Sequence, residues 1–356
     1  MEAVIVAGGL GTRLWPLTVH LPKHLLPVAG VPFVAHQIAK LAAADVRRIV
    51  LATSYHADMF EPVLGTGSAW GVELIYVNEV EPLGTAGAIR NVSGHLESAG
   101  DDPVVILNGD ILSGHDLGAQ LDVHRRHQAE VTLHLVEVAD ARAYGSVPTD
   151  HHGNVTAFSE KSPDPVSRQI NAGCYIFAAK VMDDIPANGV LSLERETFPR
   201  LLSEGRRVMG YPEAGYWLDV GTPQALCRGS ADVVRGIVTT PAYRSPPAER
   251  WVAGDAAVSP DASVSGGSAV GPGARVGPGA ILDGSLVCAG ADVGAEAWVV
   301  DSVLGPGARL GRDVVVRDSV VGDRAYVGAG CVLVDGARVA CDTAIAAGSI
   351  RFSTDV

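Results

Sequence analysis

The sequence predicts an α/β domain followed by a parallel β-helix. Apolar segments of strand length alternate with helix-like segments up to about residue 235, whereas after residue 250 an apolar residue recurs every six positions. A chain of 356 residues with 47% apolar and 19% charged side chains suits two folded domains. We predict a first domain over 1–235, a proline-rich linker over 236–250 and a β-helix over 251–356.

The first domain is predicted to contain a mostly parallel sheet. Continuous apolar strands alternating with helices indicate a sheet covered on both faces, and such sheets bind ligands at the carboxyl ends of their strands. The predicted strands are 3–7, 48–52, 74–78, 104–108 and 131–136, and the predicted helices are 34–44, 57–64, 86–92 and 117–127.

The second domain carries a six-residue apolar repeat. This period predicts a parallel β-helix because each short strand points one aliphatic side chain inward, while glycine takes the turn conformations that other residues avoid. A five-residue step interrupts the repeat at intervals, and Ser285, Ser302 and Ser319 lie at or just before these joints. The repeated positions include Val258, Val264, Val270, Val276, Leu282, Val287, Val293, Val299, Leu304, Leu310, Val316 and Val321.

Composition and charge exclude several classes of protein. A formal net charge of -13 argues against nonspecific nucleic-acid binding. No apolar run approaches the roughly 20 residues that a membrane span needs, so we predict no membrane association. The five cysteines are odd in number and lack C-x-x-C spacing. This pattern indicates neither a disulfide framework nor a zinc site, and it predicts a cytoplasmic protein.

A glycine-rich loop follows the first predicted strand directly. The loop reads Ala7-Gly8-Gly9-Leu10-Gly11-Thr12-Arg13. Its glycines allow backbone N–H groups to approach phosphate oxygens. The spacing does not fit a dinucleotide fingerprint, since Leu14 stands where glycine is needed, and the Gly-Lys-Ser/Thr of a Walker loop is absent. Arg13 and Lys23 instead offer two cations to a triphosphate.

This loop, together with Pro16-Leu17-Thr18 and Pro22-Lys23-His24-Leu25-Leu26-Pro27, resembles the signature of the sugar-nucleotide pyrophosphorylases. The resemblance extends over the whole chain. It is closest to bacterial mannose-1-phosphate guanylyltransferases with a C-terminal hexapeptide-repeat domain, especially those of actinobacteria. It implies a Rossmann-like, mixed-sheet nucleotidyltransferase domain (GT-A-like) followed by a left-handed parallel β-helix. His24 departs from the small residue or proline more usual there, and we expect it to face solvent.

The resemblance implies transfer of a nucleotidyl group from a nucleoside triphosphate to a sugar 1-phosphate, with Mg²⁺ as cofactor and pyrophosphate as the second product. GTP and mannose 1-phosphate are the substrates it favours. Glucose 1-phosphate or a cyclitol phosphate such as valienol phosphate is an alternative acceptor, and ADP, UDP or dTDP products remain alternatives for the nucleotide.

Two other classes of function are less consistent with the residues. A regulatory subunit that only binds a sugar nucleotide would be favoured if Arg13, Lys23 or a metal-binding aspartate were missing, and all are present. A catalytic β-helix of the acyltransferase kind normally needs a histidine base, and no histidine lies after residue 250. We therefore predict a structural β-helix that packs on the first domain or builds a homo-oligomer through its strand edges.

Two segments are assigned to the nucleotide and the metal. The resemblance implies that Glu81, Pro82, Leu83 and Gly84 frame the base, with Thr85 and Gly87 completing the turn, although composition alone indicates a helix start capped by Thr85. Asn108 and Gly109 end the most apolar predicted strand and lead into Asp110. Asp219 lies in a similar place between apolar residues and a turn. Two strand-end carboxylates suit a hard, octahedral Mg²⁺, and the resemblance assigns Asp110 and Asp219 this role.

The remaining assignments concern the sugar phosphate. The resemblance implies that Glu160 holds sugar hydroxyls and Lys161 the phosphate, although alternation along a strand leaves open that one of them is a solvated surface residue. Asn171 and Gly173 resemble a sugar-binding asparagine and its close-approach glycine, and Tyr144-Gly145 resembles a backbone contact on the sugar ring. Trp217 either packs at the sugar or caps the core. Arg13, Lys23 and Asp110 are the predicted catalytic residues.

Overall fold

The computed structural model describes residues 1–350, so residues 351–356 of the predicted β-helix lie outside the described residues. The α-helices are α1 Phe33–Ala43, α2 Phe60–Leu64, α3 Gly84–Val92, α4 Leu117–Arg126, α5 Ala179–Asp183, α6 Phe198–Ser203 and α7 Pro223–Val234. Shorter 3-10 or π turns span Thr12–Leu14, Lys23–Leu25, Ala57–Met59, Ser68–Trp70, Ser93–His95 and Leu193–Thr197. Within the described range no helix is long and apolar enough to cross a membrane.

The chain forms two compact units that differ from the predicted domains in their membership. The first unit contains Met1–Gly9 and Gln37–Trp217, and the second contains Leu10–His36 together with the chain from Leu218 onward. Most of the glycine loop and Lys23 thus belong to the same unit as the β-helix. The domain boundaries at 235 and 251 stay a prediction.

The first unit is built on a mixed sheet, as the resemblance implied. The strands up to Asp219 are β1 Glu2–Ala7, β2 Pro27–Val28, β3 Val31–Pro32, β4 Arg48–Thr53, β5 Glu73–Asn78, β6 Pro103–Asn108, β7 Ile111–Ser113, β8 Val131–Glu137, β9 Gly145–Ser146, β10 Ser159–Glu160, β11 Gln169–Ala178, β12 Val208–Pro212 and β13 Trp217–Asp219. The order β10-β9-β11-β6-β1-β4-β5 runs across the sheet, and β8 pairs with β11 and β12. Strands β1, β4, β5 and β6 are parallel, whereas β11 is antiparallel to β6 and β8.

The register of the parallel strands places their carboxyl ends at one edge. Val6 pairs with Asn108, Ala7 with Thr53, and Thr53 with Asn78. The chain therefore leaves β1 for the glycine loop beside the ends of β4, β5 and β6. This is the edge at which parallel sheets bind ligands.

The predicted elements of this unit are found with shifted ends. All five predicted strands are present, and three of the four predicted helices correspond to α1, α3 and α4. The predicted helix over 57–64 is instead a 3-10 turn, Ala57–Met59, followed by the single-turn α2. In one α-helix over 57–64, Pro62 would have to donate a backbone N–H to the oxygen of Asp58, and proline has none, so the helix cannot run unbroken from residue 57.

The second unit contains the predicted parallel β-helix. Its strands are β14 Arg250–Val252, β15 Ala257–Val258, β16 Ser263–Ser265, β17 Ser268–Val270, β18 Arg275–Val276, β19 Ile281–Asp283, β20 Leu286–Val287, β21 Asp292–Val293, β22 Trp298–Val300, β23 Val303–Leu304, β24 Arg309–Leu310, β25 Val315–Arg317, β26 Val320–Val321, β27 Tyr326–Val327, β28 Val332–Leu333, β29 Arg338–Val339 and β30 Ala344–Ile345. They form three parallel sheets. Val270, Val287, Leu304 and Val321 pair in register and are fully buried, so the six-residue repeat marks the inward positions. The left-handed sense stays a prediction.

The serines at the five-residue joints form a buried hydrogen-bonded column. The backbone N–H of Ser285 donates to the hydroxyl of Ser268 (3.0 Å), that of Ser302 to Ser285 (3.2 Å) and that of Ser319 to Ser302 (3.1 Å). Each donor lies 17 residues after its acceptor, which is one turn of the β-helix. The hydroxyls therefore satisfy buried N–H groups at the shortened corner.

Acidification is expected to destabilise the first unit. Burial lowers the pKa of His115 to about 2, of His134 to about 3 and of His124 to about 4, from 6.5. Because these rings stay neutral when folded but accept protons once unfolded, the unfolded state binds more protons between about pH 6.5 and 4. The free energy of unfolding should therefore fall as the pH is lowered through that window.

The melting temperature measured by calorimetry from pH 7 to pH 4.5, at constant ionic strength, checks this expectation. His134→Phe keeps a ring stacked on His115 (centroids 4.0 Å apart) and should reduce the slope of melting temperature against pH. His151→Ala, at an exposed position, should leave the slope unchanged. A melting temperature that does not change with pH in the native protein would contradict the prediction.

Candidate active site

A buried glutamine holds the turn that carries Asp110 by hydrogen bonds to its backbone. Gln37 is 5% exposed, and its side-chain amide donates to the backbone oxygens of Asn108 (2.8 Å) and Ile111 (3.0 Å). The backbone N–H of Gly109 donates to the oxygen of Val6 (2.9 Å), which ties the same turn to β1. Asp110 is thus held, half-buried, at the carboxyl end of β6. Sequence reasoning missed Gln37 because its only signal was a helical apolar pattern around it.

Gly8, at the start of the glycine loop, lies against two polar side chains. Ser54 Oγ donates to the Gly8 oxygen (2.6 Å), and a Cβ on Gly8 would lie 3.0 Å from that hydroxyl and 3.6 Å from Glu79 Oε2. Burial raises the pKa of Glu79, whose Oε2 accepts from the Leu83 N–H (3.3 Å). Glycine is therefore the residue that fits here. Ser54 and Glu79 both follow strand ends, a signal that could have identified them.

The segment predicted to frame the base enters α3 without a side-chain cap. Gly84 takes a left-handed φ of 75°, and a Cβ there would overlap the Leu191 oxygen. Thr85 does not cap the helix, whose N-cap is Leu83; its hydroxyl donates to Glu194 Oε2 (2.9 Å). The composition-only interpretation of Thr85 is thus wrong, because the 191–194 segment uses its hydroxyl. Glu81 and Pro82 are exposed beside it.

Two predicted site residues, one from the nucleotide side and one from the sugar side, meet at the hydroxyl of Tyr175. This fully buried tyrosine accepts from Asn171 Nδ2 (2.8 Å) and from Asn108 Nδ2 (3.4 Å). Gly173 has a φ of 76°, and a Cβ on it would lie 3.0 Å from Asn108 Nδ2. The register of β11 against β8 shifts between Asn171 and Tyr175. Tyr175 was missed because nothing distinguishes it from a core aromatic in sequence.

Trp217 belongs to the same region of the first unit. Its indole Nε1 donates to the oxygen of Ala172 (2.9 Å), the residue between Asn171 and Gly173. Its ring meets Tyr144 edge-on, with centroids 5.4 Å apart. Trp217 therefore fixes the backbone that carries the predicted sugar-binding asparagine and glycine.

Glu160 and Lys161 point the same way despite being adjacent. Lys161 Nζ lies 3.5 Å from Glu160 Oε1, with side chains 62% and 17% exposed respectively. Lys161 takes a left-handed φ of 45° just after the two-residue β10, so the alternation of a regular strand does not apply. A Cβ on Gly145 would lie 2.8 Å from Glu160 Oε2, which explains the glycine opposite.

In the second unit, the arginine of the glycine loop pairs with a predicted metal-binding aspartate. Arg13 Nη2 lies 3.6 Å from Asp219 Oδ2, with side chains 63% and 25% exposed. A Cβ on Gly221 would overlap the Arg13 guanidinium and lie 2.8 Å from Asp219 Oδ1. Gly221 thus leaves the space in which this ion pair forms.

Lys23 packs on the same loop at Gly11. Gly11 has a φ of 65°, and a Cβ on it would lie 3.0 Å from both Lys23 Cβ and Thr18 Cγ2. Thr18 Oγ1 donates to the Gly11 oxygen (3.1 Å). The expectation that His24 faces solvent is wrong: the 3-10 turn Lys23–Leu25 buries it, leaving 1% exposed.

Gly221→Ala is expected to lower the kcat of the predicted nucleotidyl transfer about tenfold, because the added methyl displaces the guanidinium of Arg13. The loss of stability should be small, since the backbone at Gly221 does not adopt a left-handed φ. Gly254→Ala is the matched control, since a Cβ there meets nothing within 4 Å. Steady-state kinetics and melting temperatures of both variants check this prediction. Equal kcat values for the two variants would contradict it.

The N-terminal and C-terminal regions of the chain each match a known protein family. Residues 2–236 match the family described as Nucleotidyl transferase, and residues 248–350 match the GMPPB C-terminal domain. The mannose-1-phosphate guanylyltransferase of Mycobacterium tuberculosis (strain ATCC 25618 / H37Rv) is 50% identical over 258 residues, which are 72% of this chain and 71% of the relative.

Two crystal structures share the fold over about two thirds of the chain. HddC from Yersinia pseudotuberculosis, complexed with GMP-PN, has a TM-score of 0.55 and 29% identity, covering 64% of this chain and 97% of its own. A structure from Bacillus anthracis described as a putative glucose-1-phosphate thymidylyltransferase, in complex with sucrose, has a TM-score of 0.60 and 26% identity, covering 65% of this chain and 94% of its own. The resemblance carried by the glycine loop is confirmed, and the chain belongs to the nucleotidyl transferase family.

Proposed function

We propose that this protein transfers the guanylyl group of GTP to mannose 1-phosphate, giving GDP-mannose and pyrophosphate. The observation that carries the proposal is the 50% identity to the Mycobacterium tuberculosis mannose-1-phosphate guanylyltransferase over 72% of the chain. The loop with Arg13 and Lys23, and the sugar-side group of Glu160, Lys161 and Asn171, supply the kinds of side chain that the two substrates require.

The reaction is a single in-line displacement at phosphorus. An oxygen of the sugar phosphate attacks the α-phosphorus of GTP, a new O–P bond forms, the bond to the β-phosphate oxygen breaks, and pyrophosphate leaves. No protein nucleophile is needed because a phosphate monoester, with a second pKa of about 6, is mostly deprotonated at neutral pH. The chain must supply orientation and offset the charge of two polyanions.

We assign each group a role on that basis. Backbone N–H groups from Ala7, Gly8, Gly9, Gly11 and Thr12 bind the triphosphate, with Asn108 and Gly109 completing the nucleotide side. Arg13 and Lys23 offset charge on the α-phosphate and the departing pyrophosphate. Lys161 binds the incoming phosphate, and Glu160 and Asn171 bind sugar hydroxyls. Gly145, Gly173 and Trp217 shape the sugar side.

The family implies a divalent cation, and the donor chemistry fits Mg²⁺. Asp110 is half-buried and the Asp219 side chain is 25% exposed, so both carboxylates are accessible oxygen donors of the kind that Mg²⁺ prefers. We propose that these two residues hold it. When bound, Mg²⁺ neutralises phosphate charge and orients the triphosphate. Arg13, whose Nη2 lies 3.6 Å from Asp219 Oδ2, helps to hold this carboxylate in place before the substrates arrive.

The choice of base and sugar is the part of the proposal that needs a direct test. A structural relative named as a putative glucose-1-phosphate thymidylyltransferase shares the fold, so the same chemistry on glucose 1-phosphate or a cyclitol phosphate, or with another nucleotide, is the second candidate. Five nucleoside triphosphates assayed against several sugar 1-phosphates, with and without Mg²⁺, separate these candidates by pyrophosphate release. The highest kcat/KM should fall on GTP with mannose 1-phosphate. Release of pyrophosphate by no pair would defeat the enzymatic proposal.

We also propose a homo-oligomer built through the β-helix. Ile281, Trp298 and Val315 pair in register, and Trp298, which projects outward, is 54% exposed. An apolar row of this kind suits contact with a second copy. Light scattering on the purified protein tests the proposal, and the mass of a monomer would contradict it.

We propose a cytoplasmic location for this protein, since its five cysteines are free thiols.

A further inference from the structure

The loop that carries Arg13 is anchored by an arginine of the β-helix. Arg338, the first residue of β29, donates from Nη1 to the backbone oxygens of Arg13 and Trp15, at 2.9 Å each. Arg338 lies 325 residues beyond Arg13 in the chain, and both belong to the second unit. One guanidinium therefore fixes the end of the 3-10 turn Thr12–Leu14.

The sequence of the loop explains why an outside donor is needed. In the 3-10 turn, Leu14 donates to the Gly11 oxygen and Trp15 to the Thr12 oxygen. The next donor in this series would be residue 16, which is Pro16 and has no N–H, so the Arg13 oxygen has no partner of that kind. The guanidinium of Arg338 provides the missing hydrogen bond.

Two neighbouring contacts hold the segment after the turn. Cys341 Sγ donates to the Pro16 oxygen (3.4 Å), and Arg324 Nη2 lies 3.1 Å from His20 Nε2. Arg324 is itself held by both carboxylate oxygens of Asp342, at 2.7 and 2.8 Å. The last turns of the β-helix thus contact the segment from Arg13 to His20 at three places.

The Arg13 side chain depends on this anchor more than a buried residue would. It is 63% exposed, and its ion pair with Asp219 spans 3.6 Å, so packing does not fix it. Its position follows from that of its backbone, whose carbonyl Arg338 binds. A displacement of about 1 Å in a group that stabilises a transition state can lower a rate about 100-fold.

We propose that Arg338 is a positioning residue for the nucleotidyl transfer, which places the Arg13 guanidinium through the backbone of the glycine loop. The inference rests on the proposed function, because Arg13 acts there on the α-phosphate and pyrophosphate. It gives the β-helix a part in the reaction in addition to assembly.

The test compares Arg338→Ala and Arg338→Lys with Arg309→Ala in the full-length protein. Arg309 is a β-helix arginine whose guanidinium lies 5.6 Å from the centre of the Tyr326 ring, and it serves as the matched control. Arg338→Ala should lower kcat about tenfold and leave the KM for mannose 1-phosphate unchanged, because the sugar-phosphate residues belong to the first unit. Arg338→Lys should recover part of the loss, and added guanidinium ion should partly restore Arg338→Ala.

The outcomes separate this inference from the proposed function. An inactive native protein with every substrate pair defeats the proposed function. An active native protein with an unchanged kcat in Arg338→Ala overturns the inference alone. An equal loss in Arg309→Ala, or a loss in Arg338→Ala that neither lysine nor guanidinium ion relieves, also overturns it, since the effect would then be general damage to the β-helix.

Discussion

Asp110→Asn is expected to lower kcat about 100- to 1,000-fold, the loss typical when a group that stabilises transition-state charge is removed. Asparagine keeps the shape of the side chain but removes the negative charge that we propose would hold Mg²⁺. The turn itself should persist, since Gln37 binds the backbone oxygens of Asn108 and Ile111 rather than the carboxylate. Steady-state rates of pyrophosphate release over a range of Mg²⁺ concentrations measure the effect.

Asp140→Asn provides the control, because Asp140 is an exposed aspartate whose carboxylate binds Arg142 at 2.6 Å. This variant should keep the native rate, and both variants should keep the native melting temperature. Asp110→Asn is a cleaner test than the same change at Asp219, where the loss of the ion pair with Arg13 would add a second effect. A native rate in Asp110→Asn at saturating Mg²⁺ would remove Asp110 from the mechanism.

The fold was predictable where local pattern and tertiary role agree. The inward valines of the β-helix recur with a fixed period because every turn repeats the same environment. This repeat can therefore be recognised from the sequence. The antiparallel pairing of β11 with β6 and β8 has no such signal, since a strand buried on both faces looks the same in either direction. Nor does sequence order indicate that Leu10–His36 would pack within the unit of the β-helix.

The residues of the candidate site also fall into two groups: those that sequence motifs predict and those that only the structure identifies. Gly8, Arg13, Lys23 and Asp110 belong to short sequence motifs. A glycine is needed where a neighbouring group leaves little room for a Cβ atom, so such positions can be recognised in the sequence. Tyr175 and Arg338 act on groups far away in the chain: the tyrosine joins Asn108 to Asn171, and the arginine binds the oxygen of Arg13. Their function depends on a contact partner and not on their neighbours in sequence, so only the folded structure identifies them.

Lys161→Ala is expected to raise the KM for mannose 1-phosphate about 100-fold while the KM for GTP stays unchanged. A charge-assisted hydrogen bond contributes up to about 3 kcal/mol, which corresponds to roughly that factor in binding. Lys161 is 62% exposed, so its ammonium, which lies 3.5 Å from the Glu160 carboxylate, is free of surrounding packing and can turn to a phosphate. Alanine loses the charge but tolerates the left-handed φ of 45° about as well as lysine does.

Lys180→Ala is the matched control, since Lys180 is a half-exposed lysine paired with Asp101 at 2.6 Å, and it should leave both KM values at the native level. Lys161→Arg should recover part of the binding, because it restores the charge with a different geometry. The decisive comparison is between the two substrates. A loss that appears equally in the KM for GTP, or only in kcat, would mean that Lys161 acts on the nucleotide or on the transferring phosphoryl group, and the assignment of the sugar phosphate to this lysine would have to be abandoned.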